Sequence, residues 1–126
     1  MSALPYTTGN RVVVGEWALV NLTPHPITVH LAEGGATTVA GTRSPARIAY
    51  ETTCTFSSAP WPMVTERQLS VLGVPGQAAN TLLVVSRPVA TELHDRDDLV
   101  VPTRLVRDAI GQVVSARALA RVLPPR

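Results

Sequence analysis

Proline and glycine recur so often along this 126-residue chain that no long helix has room to form; 11 prolines and 8 glycines cut the apolar runs into short pieces. Each proline removes a backbone donor and fixes φ, so the segments between them suit strands and turns better than successive helical turns. The pieces themselves have strand character. Ile27-Thr28-Val29-His30-Leu31 alternates apolar with polar, the period of a half-buried strand. Glu33-Gly34-Gly35 supplies turn chemistry before Thr37-Thr38-Val39, which predicts a hairpin. Val12 to Leu22, rich in valine and containing Trp17, predicts one or two strands, and Ala46 to Phe56 another. Thr81-Leu82-Leu83-Val84-Val85-Ser86 has the aliphatic density of a strand buried on both faces.

Pro88 ends that strand, and Val89 to Leu93 predicts a short helix with Pro88 tolerated in its first turn. Ala59-Pro60-Trp61-Pro62 predicts a loop, and His94 to Asp98 a charged one. Leu99 to Pro102 predicts a short strand closed by its proline, and Leu105 to Val114 two strand pieces around a glycine-containing turn. Ser115 to Val122 suits a strand by its alternation and a helix by its alanines. The expected fold is mainly β (α+β): one compact antiparallel sheet core with one or two short helices. Hydrophobic residues are 45% and charged ones 16%, which argues against disorder and for a self-sufficient core.

The same composition excludes several functions. One cysteine, Cys54, cannot form an intramolecular disulfide or a Cys-based zinc cluster. No apolar run approaches the roughly 20 residues of a spanning helix, and the start lacks a secretory signal pattern. The expected location is therefore cytoplasmic, and no membrane partner is expected. All 11 basic residues are arginine, set against 9 acids for a net charge of +2. That is a weak field for a nucleic-acid backbone. Five aromatics, Tyr6, Trp17, Tyr50, Phe56 and Trp61, are too few for a base-stacking platform.

Catalytic patterns are equally scarce. His25, His30 and His94 have no metal-ligand spacing with a second histidine or cysteine, and neither a nucleophile elbow nor a phosphate-cradling loop is present. No cofactor and no enzymatic activity are expected. The densest polar stretch is His94-Asp95-Arg96-Asp97-Asp98, with Thr103, Arg104, Arg107 and Asp108 soon after. Alternating charges on a loop often do no more than keep a surface soluble. Here the flanking apolar strands anchor the charges to rigid backbone. Arginine's planar fork pairs bidentately with carboxylate or phosphate, and a nearby acid either holds that fork or accepts from sugar hydroxyls. Arg47 and Arg87 stand beside prolines at strand ends, where each is either a rim residue or a ligand contact.

Several blocks of the chain are also familiar in order. Asn21-Leu22-Thr23-Pro24-His25, Pro45-Ala46-Arg47-Ile48, Leu83 to Ala90, and above all Arg96-Asp97-Asp98-Leu99-Val100-Val101-Pro102 with Val106-Arg107-Asp108 and Gly111 to Val114 resemble the phage anti-Thoeris sponge proteins of the first-described type. The resemblance runs from about residue 20 to 122 and is faint over 59–74. It implies a single β-rich ligand-binding domain over 20–122, with 1–19 an extension and 123–126 a tail. It implies non-catalytic sequestration of cyclic ADP-ribose-type signals, or another cyclic nucleotide, against a bacterial TIR-based defence. It further implies homo-oligomers, from dimer to hexamer, with ligand at subunit contacts.

Residue by residue, the resemblance makes Arg47, Arg96, Asp98 and Arg107 the ligand-binding positions, with Arg87, Thr103 and Arg117 added. Arginine would hold a pyrophosphate, Asp98 or Thr103 ribose hydroxyls, and Phe56 or Trp61 the adenine. Two other readings stand beside it. One is a small phage or prophage assembly protein without nucleotide binding. The other, ranked last, is a nucleotide-processing enzyme using His94, Asp97 or Asp98 as acid or base.

Overall fold

The computed structural model describes residues 5–55 and 58–126. The described residues build ten strands and one helix: β1 Tyr6–Thr8, β2 Arg11–Val14, β3 Trp17–Asn21, β4 Ile27–His30, β5 Ala36–Val39, β6 Arg47–Thr55, β7 Met63–Leu72, β8 Thr81–Val84, α1 Arg87–Glu92, β9 Leu99–Arg107 and β10 Val113–Ala120. Eight strands form one sheet in the order β1-β2-β3-β8-β9-β10-β4-β5, and β6 with β7 forms a separate ribbon. The mainly β class expected from the punctuation is what forms, with one short helix.

The expected hairpin is β4–β5, with Ile27 opposite Val39 and His30 opposite Ala36. β8 sits between β3 and β9, parallel to both. A parallel strand needs cover on both faces, and α1 supplies one of them. Val89 and Ala90 pack with Leu22, Ala46, Leu83, Val85, Leu99 and Val101 in one buried cluster. Pro88 lies in the first helical turn, where its missing donor costs nothing. The sheet is mixed, not purely antiparallel, because β10 also runs parallel to β4.

Of residues 1–19, expected to be an extension, 6–19 form β1, β2 and the start of β3, and β3 pairs with β8 from Ala18 to Asn21. Val12 and Ala18 from this segment are buried. The sheet also curls so that β2 meets β5. Asn21, fully buried, fastens that closure. Its Nδ2 donates to the carbonyls of His25 (2.8 Å) and Val39 (3.2 Å), while its Oδ1 accepts from the Thr23 amide (3.0 Å) and hydroxyl (2.7 Å). The Asn-Leu-Thr-Pro-His block is thus a fold-organising turn joining the end of β3 to the end of β5. Gly41 packs on the same turn; a Cβ there would lie 2.6 Å from the Pro24 carbonyl.

One local expectation gave way, and one open reading is resolved. β9 does not stop at Pro102 but continues to Arg107. β8 reaches only as far as Val100 on that side, so the donor that Pro102 lacks faces no neighbouring strand, a position where proline is tolerated. Of the segment 115–122, open between strand and helix, 115–120 lie in β10, because β9 and β4 flank it with ladder partners.

β7 had no counterpart in the sequence reading. It pairs with β6 from Arg47–Leu72 out to Thr55–Met63. Only the base of this ribbon meets the core, through Ile48 and Val71. Every described residue from Tyr50 outward on β6, and from Met63 to Ser70 on β7, is exposed.

Candidate functional site

The charged loop is held from both sides. α1 ends at Leu93, the Arg96 amide closes a turn on the Leu93 carbonyl, and the Asp98 carbonyl accepts from the Leu83 amide (2.8 Å) at the mouth of β9. Asp98 is therefore fixed by the sheet and buried. Arg96 grips it bidentately, Nε to Oδ1 at 2.9 Å and Nη2 to Oδ2 at 2.6 Å. The third nitrogen, Nη1, donates to the Pro75 carbonyl at 2.8 Å. Every nitrogen of the guanidinium is thus engaged. Hydrogen bonding to the Asp98 carboxylate raises the Arg96 pKa further above its ordinary range, against a smaller opposing effect of burial. Gln77 donates to Asp97, so the 73–80 loop docks on the charged loop at two points.

Of the two roles open to an acid beside Arg96, the geometry realises the first: Asp98 holds the arginine fork. His94 lies 3.6 Å from Asp95, both on the exposed side of the loop.

Thr103, Arg107 and Arg117 belong to the β9–β10 hairpin. Thr103 is half-buried opposite Ala118, and Arg107 stands opposite Val113 at the hairpin's end. Arg107 Nη1 donates to the Gly111 carbonyl (2.9 Å), while Asp108 Oδ1 accepts from the amides of Ile110 and Gln112. Gly111, at φ 87, permits that turn. Arg107 therefore braces the hairpin and remains exposed at its tip. Arg117 is exposed in mid-strand.

Arg47 opens β6 opposite Leu72, and Arg87 opens α1; both are exposed. The chosen residues fall in three places: the base of the ribbon with the start of α1, the Arg96–Asp98 loop, and the β9–β10 hairpin. Among them the structure joins Arg96 and Asp98 directly. Trp61 is 71% exposed just before β7; Phe56 lies outside the described residues.

One residue of the charged stretch stands outside the expected binding positions: Arg104, in mid-β9 with φ 51. Nothing in the sequence signals a left-handed backbone at that arginine. Of eleven arginines, Arg96 is the one with a carboxylate within 4.0 Å among the described residues.

Two open cavities flank the sheet. One of about 540 Å³ lies among Pro26 to Thr28, Leu105 and Val113 to Ala116. The other, about 350 Å³ and almost wholly apolar, opens where β2 and β3 approach β4, with Trp17 and His30 in its lining. His30 Nε2 and Ser115 Oγ, 3.0 Å apart, link β4 to β10. Among the described residues no cluster of His, Cys, Asp and Glu suits a metal ion, and no helix is long and apolar enough to cross a membrane. No family model, curated protein or solved structure matches the chain.

Proposed function

We propose that this chain is a non-catalytic binding protein that sequesters cyclic ADP-ribose-type nucleotides in the cytoplasm of a bacterial host, counteracting TIR-based anti-phage defence. One observation carries the reading: Arg104, Arg107 and Arg117 sit on one rigid hairpin with no carboxylate within ion-pair range among the described residues. Cations held on a strand pair and not neutralised internally are suited to a multiply charged oxyanion, and arginine forks match phosphate geometry. A cyclic ADP-ribose isomer offers a pyrophosphate to them, with ribose hydroxyls for Thr103.

Effective capture of a scarce signal needs roughly nanomolar affinity, about −12 kcal/mol. An exposed hairpin on one chain offers too little enclosure for that, so the site is completed in a homo-oligomer, by a second copy covering the hairpin. Arg47 and Arg87 are the rim arginines such a second copy would bring near. Arg96 and Asp98 support the site by fixing the 94–98 loop.

The test is capture and release. Recombinant protein is incubated with a cyclic ADP-ribose isomer, filtered, and then heat-denatured. Ligand should vanish from the filtrate and return intact; a cleaved product overturns the non-catalytic reading. Arg107→Ala should weaken capture at least tenfold with an unchanged elution volume.

A second reading has its own observation. Tyr50, Met63, Val64 and Leu69 are each about half exposed on the ribbon, a surface suited to assembly with a protein partner. A phage assembly protein would show a stable protein complex and no thermal shift with any nucleotide.

A further inference from the structure

The ladder between β9 and β10 sets Leu105 opposite Ala116 and Thr103 opposite Ala118. Arg104 and Arg117 fall between these two pairs, across the ladder from each other where it is interrupted, and both are exposed. Like charges directly opposite each other on neighbouring strands are destabilising. A carboxylate nearby would relieve the repulsion, yet none among the described residues lies within 4.0 Å of either arginine.

Arg104 carries a second cost. Its φ of 51 lies in the left-handed region that favours glycine; the other described non-glycine residue there is Asn80, of a type that tolerates it. Its neighbours Thr103 and Leu105 keep their ladder partners, so the irregularity is confined to Arg104 itself. Both costs fall on the same cross-strand pair, and glycine at this position would remove both. Strained backbone and unrelieved charge in one place are features found at ligand clamps, where the bound group supplies the compensation.

We propose that Arg104 and Arg117 form a two-guanidinium clamp for a phosphate oxyanion, the pyrophosphate of the captured nucleotide. The nucleotide's identity rests on the reading above; the clamp itself requires only phosphate chemistry. A bound dianion between the two strands turns the repulsion into a pair of charge-assisted contacts, and each planar fork can meet two phosphate oxygens. Binding is then favoured partly because the empty state is destabilised at this pair.

Stability and affinity should therefore move in opposite directions. Arg104→Gly is expected to raise Tm by a few degrees without ligand and to weaken inorganic pyrophosphate binding, measured by calorimetry, at least tenfold. Arg117→Ala should weaken it similarly. Arg104→Lys, which keeps the charge and the strained φ but loses the fork, should retain an intermediate affinity. The same titrations with a cyclic ADP-ribose isomer separate the two proposals. If wild-type protein binds pyrophosphate through these arginines but no cyclic ADP-ribose isomer, the clamp stands and the capture reading falls. If it captures the nucleotide and both variants bind undiminished, the capture reading stands and the clamp is overturned. Binding of neither ligand overturns both.

Discussion

β8 and β6 are both strands rich in β-branched and aliphatic residues, but their surroundings are opposite. Leu83, Val84 and the adjoining Val85 are at most 3% exposed, enclosed by β3, β9 and α1. On β6, Tyr50 to Thr55 are all exposed, with β7 as their one ladder partner among the described residues. Strand propensity is therefore common to both regions, and burial distinguishes them. The eight-stranded sheet contains its own core. The ribbon, about 30 Å long at roughly 3.3 Å per residue, does not, and a two-stranded ribbon alone in water is marginal. What holds it is Ile48 and Val71 at the base and cross-strand contacts such as the Thr55–Thr65 hydroxyl pair. Gly73 protects that base: its φ is 82, and a Cβ there would lie 3.0 Å from the Pro45 carbonyl.

If the sheet is the self-sufficient region, its closure should be the most sensitive point in the molecule. Asn21→Ala deletes both donors to the His25 and Val39 carbonyls and the acceptor of Thr23, all around a fully buried position. Unsatisfied buried groups cost about 1–3 kcal/mol each. The expected loss is about 4 kcal/mol in a denaturant titration. A loss near 1 kcal/mol would mean that the curled sheet holds together without this turn.

The Arg96–Asp98 pair should come next, with an asymmetry that identifies which partner the fold has buried. Asp98 is 4% exposed and Arg96 24% at the side chain. Removing the arginine strands a carboxylate inside the protein, whereas removing the aspartate frees an arginine that can turn to water. Arg96→Ala is therefore expected to cost about 3 kcal/mol and Asp98→Ala about 1 kcal/mol. Equal costs would show that the pair acts as a surface contact. Because Asp98 raises the Arg96 pKa, this cation's contribution is complete below the ordinary arginine range and is lost only at still more alkaline pH. Arginine titration should thus leave the Arg96→Ala deficit unchanged between about pH 6 and 9.

The contrast between sheet and ribbon also explains what could be read in advance. The β4–β5 hairpin, β8 and α1 were legible because one-sided burial imposes alternation, two-sided burial imposes aliphatic density, and proline marks a helical first turn. β7 was not legible. Met63-Val64-Thr65-Glu66-Arg67-Gln68 faces solvent on both sides, so no face selects apolar residues and no period appears. β1, β2 and the start of β3 fall in the expected extension, 1–19, because the resembling blocks begin near residue 20, a boundary of resemblance and not of packing. In the candidate site, an acid beside Arg96 was legible as one that either holds the fork or meets a ligand, and the turn that the Arg96 amide closes on Leu93 is what selects Asp98 for the first role. Arg104 was not, because its distinction is a backbone angle that arginine does not signal.

The smallest effects should lie along the ribbon, and their gradient tests the comparison most closely. Ile48→Ala removes apolar contact where the ribbon meets the core and should cost about 1–2 kcal/mol, below the usual cost of a fully buried isoleucine because the residue is half-buried. Thr53→Ala, further out and exposed opposite Thr65, should stay within about 0.5 kcal/mol. Hydrogen exchange supplies the matching measurement without mutation: in dilute, monomeric protein the amides of Leu83 and Val85, bonded to the carbonyls of Asp98 and Val100, should be protected to the global limit. Those of Thr52 to Thr55 should exchange orders of magnitude faster. Ribbon protection equal to that of β8 in the dilute monomer would show that cross-strand pairing suffices there without burial, and would remove the distinction between the two regions.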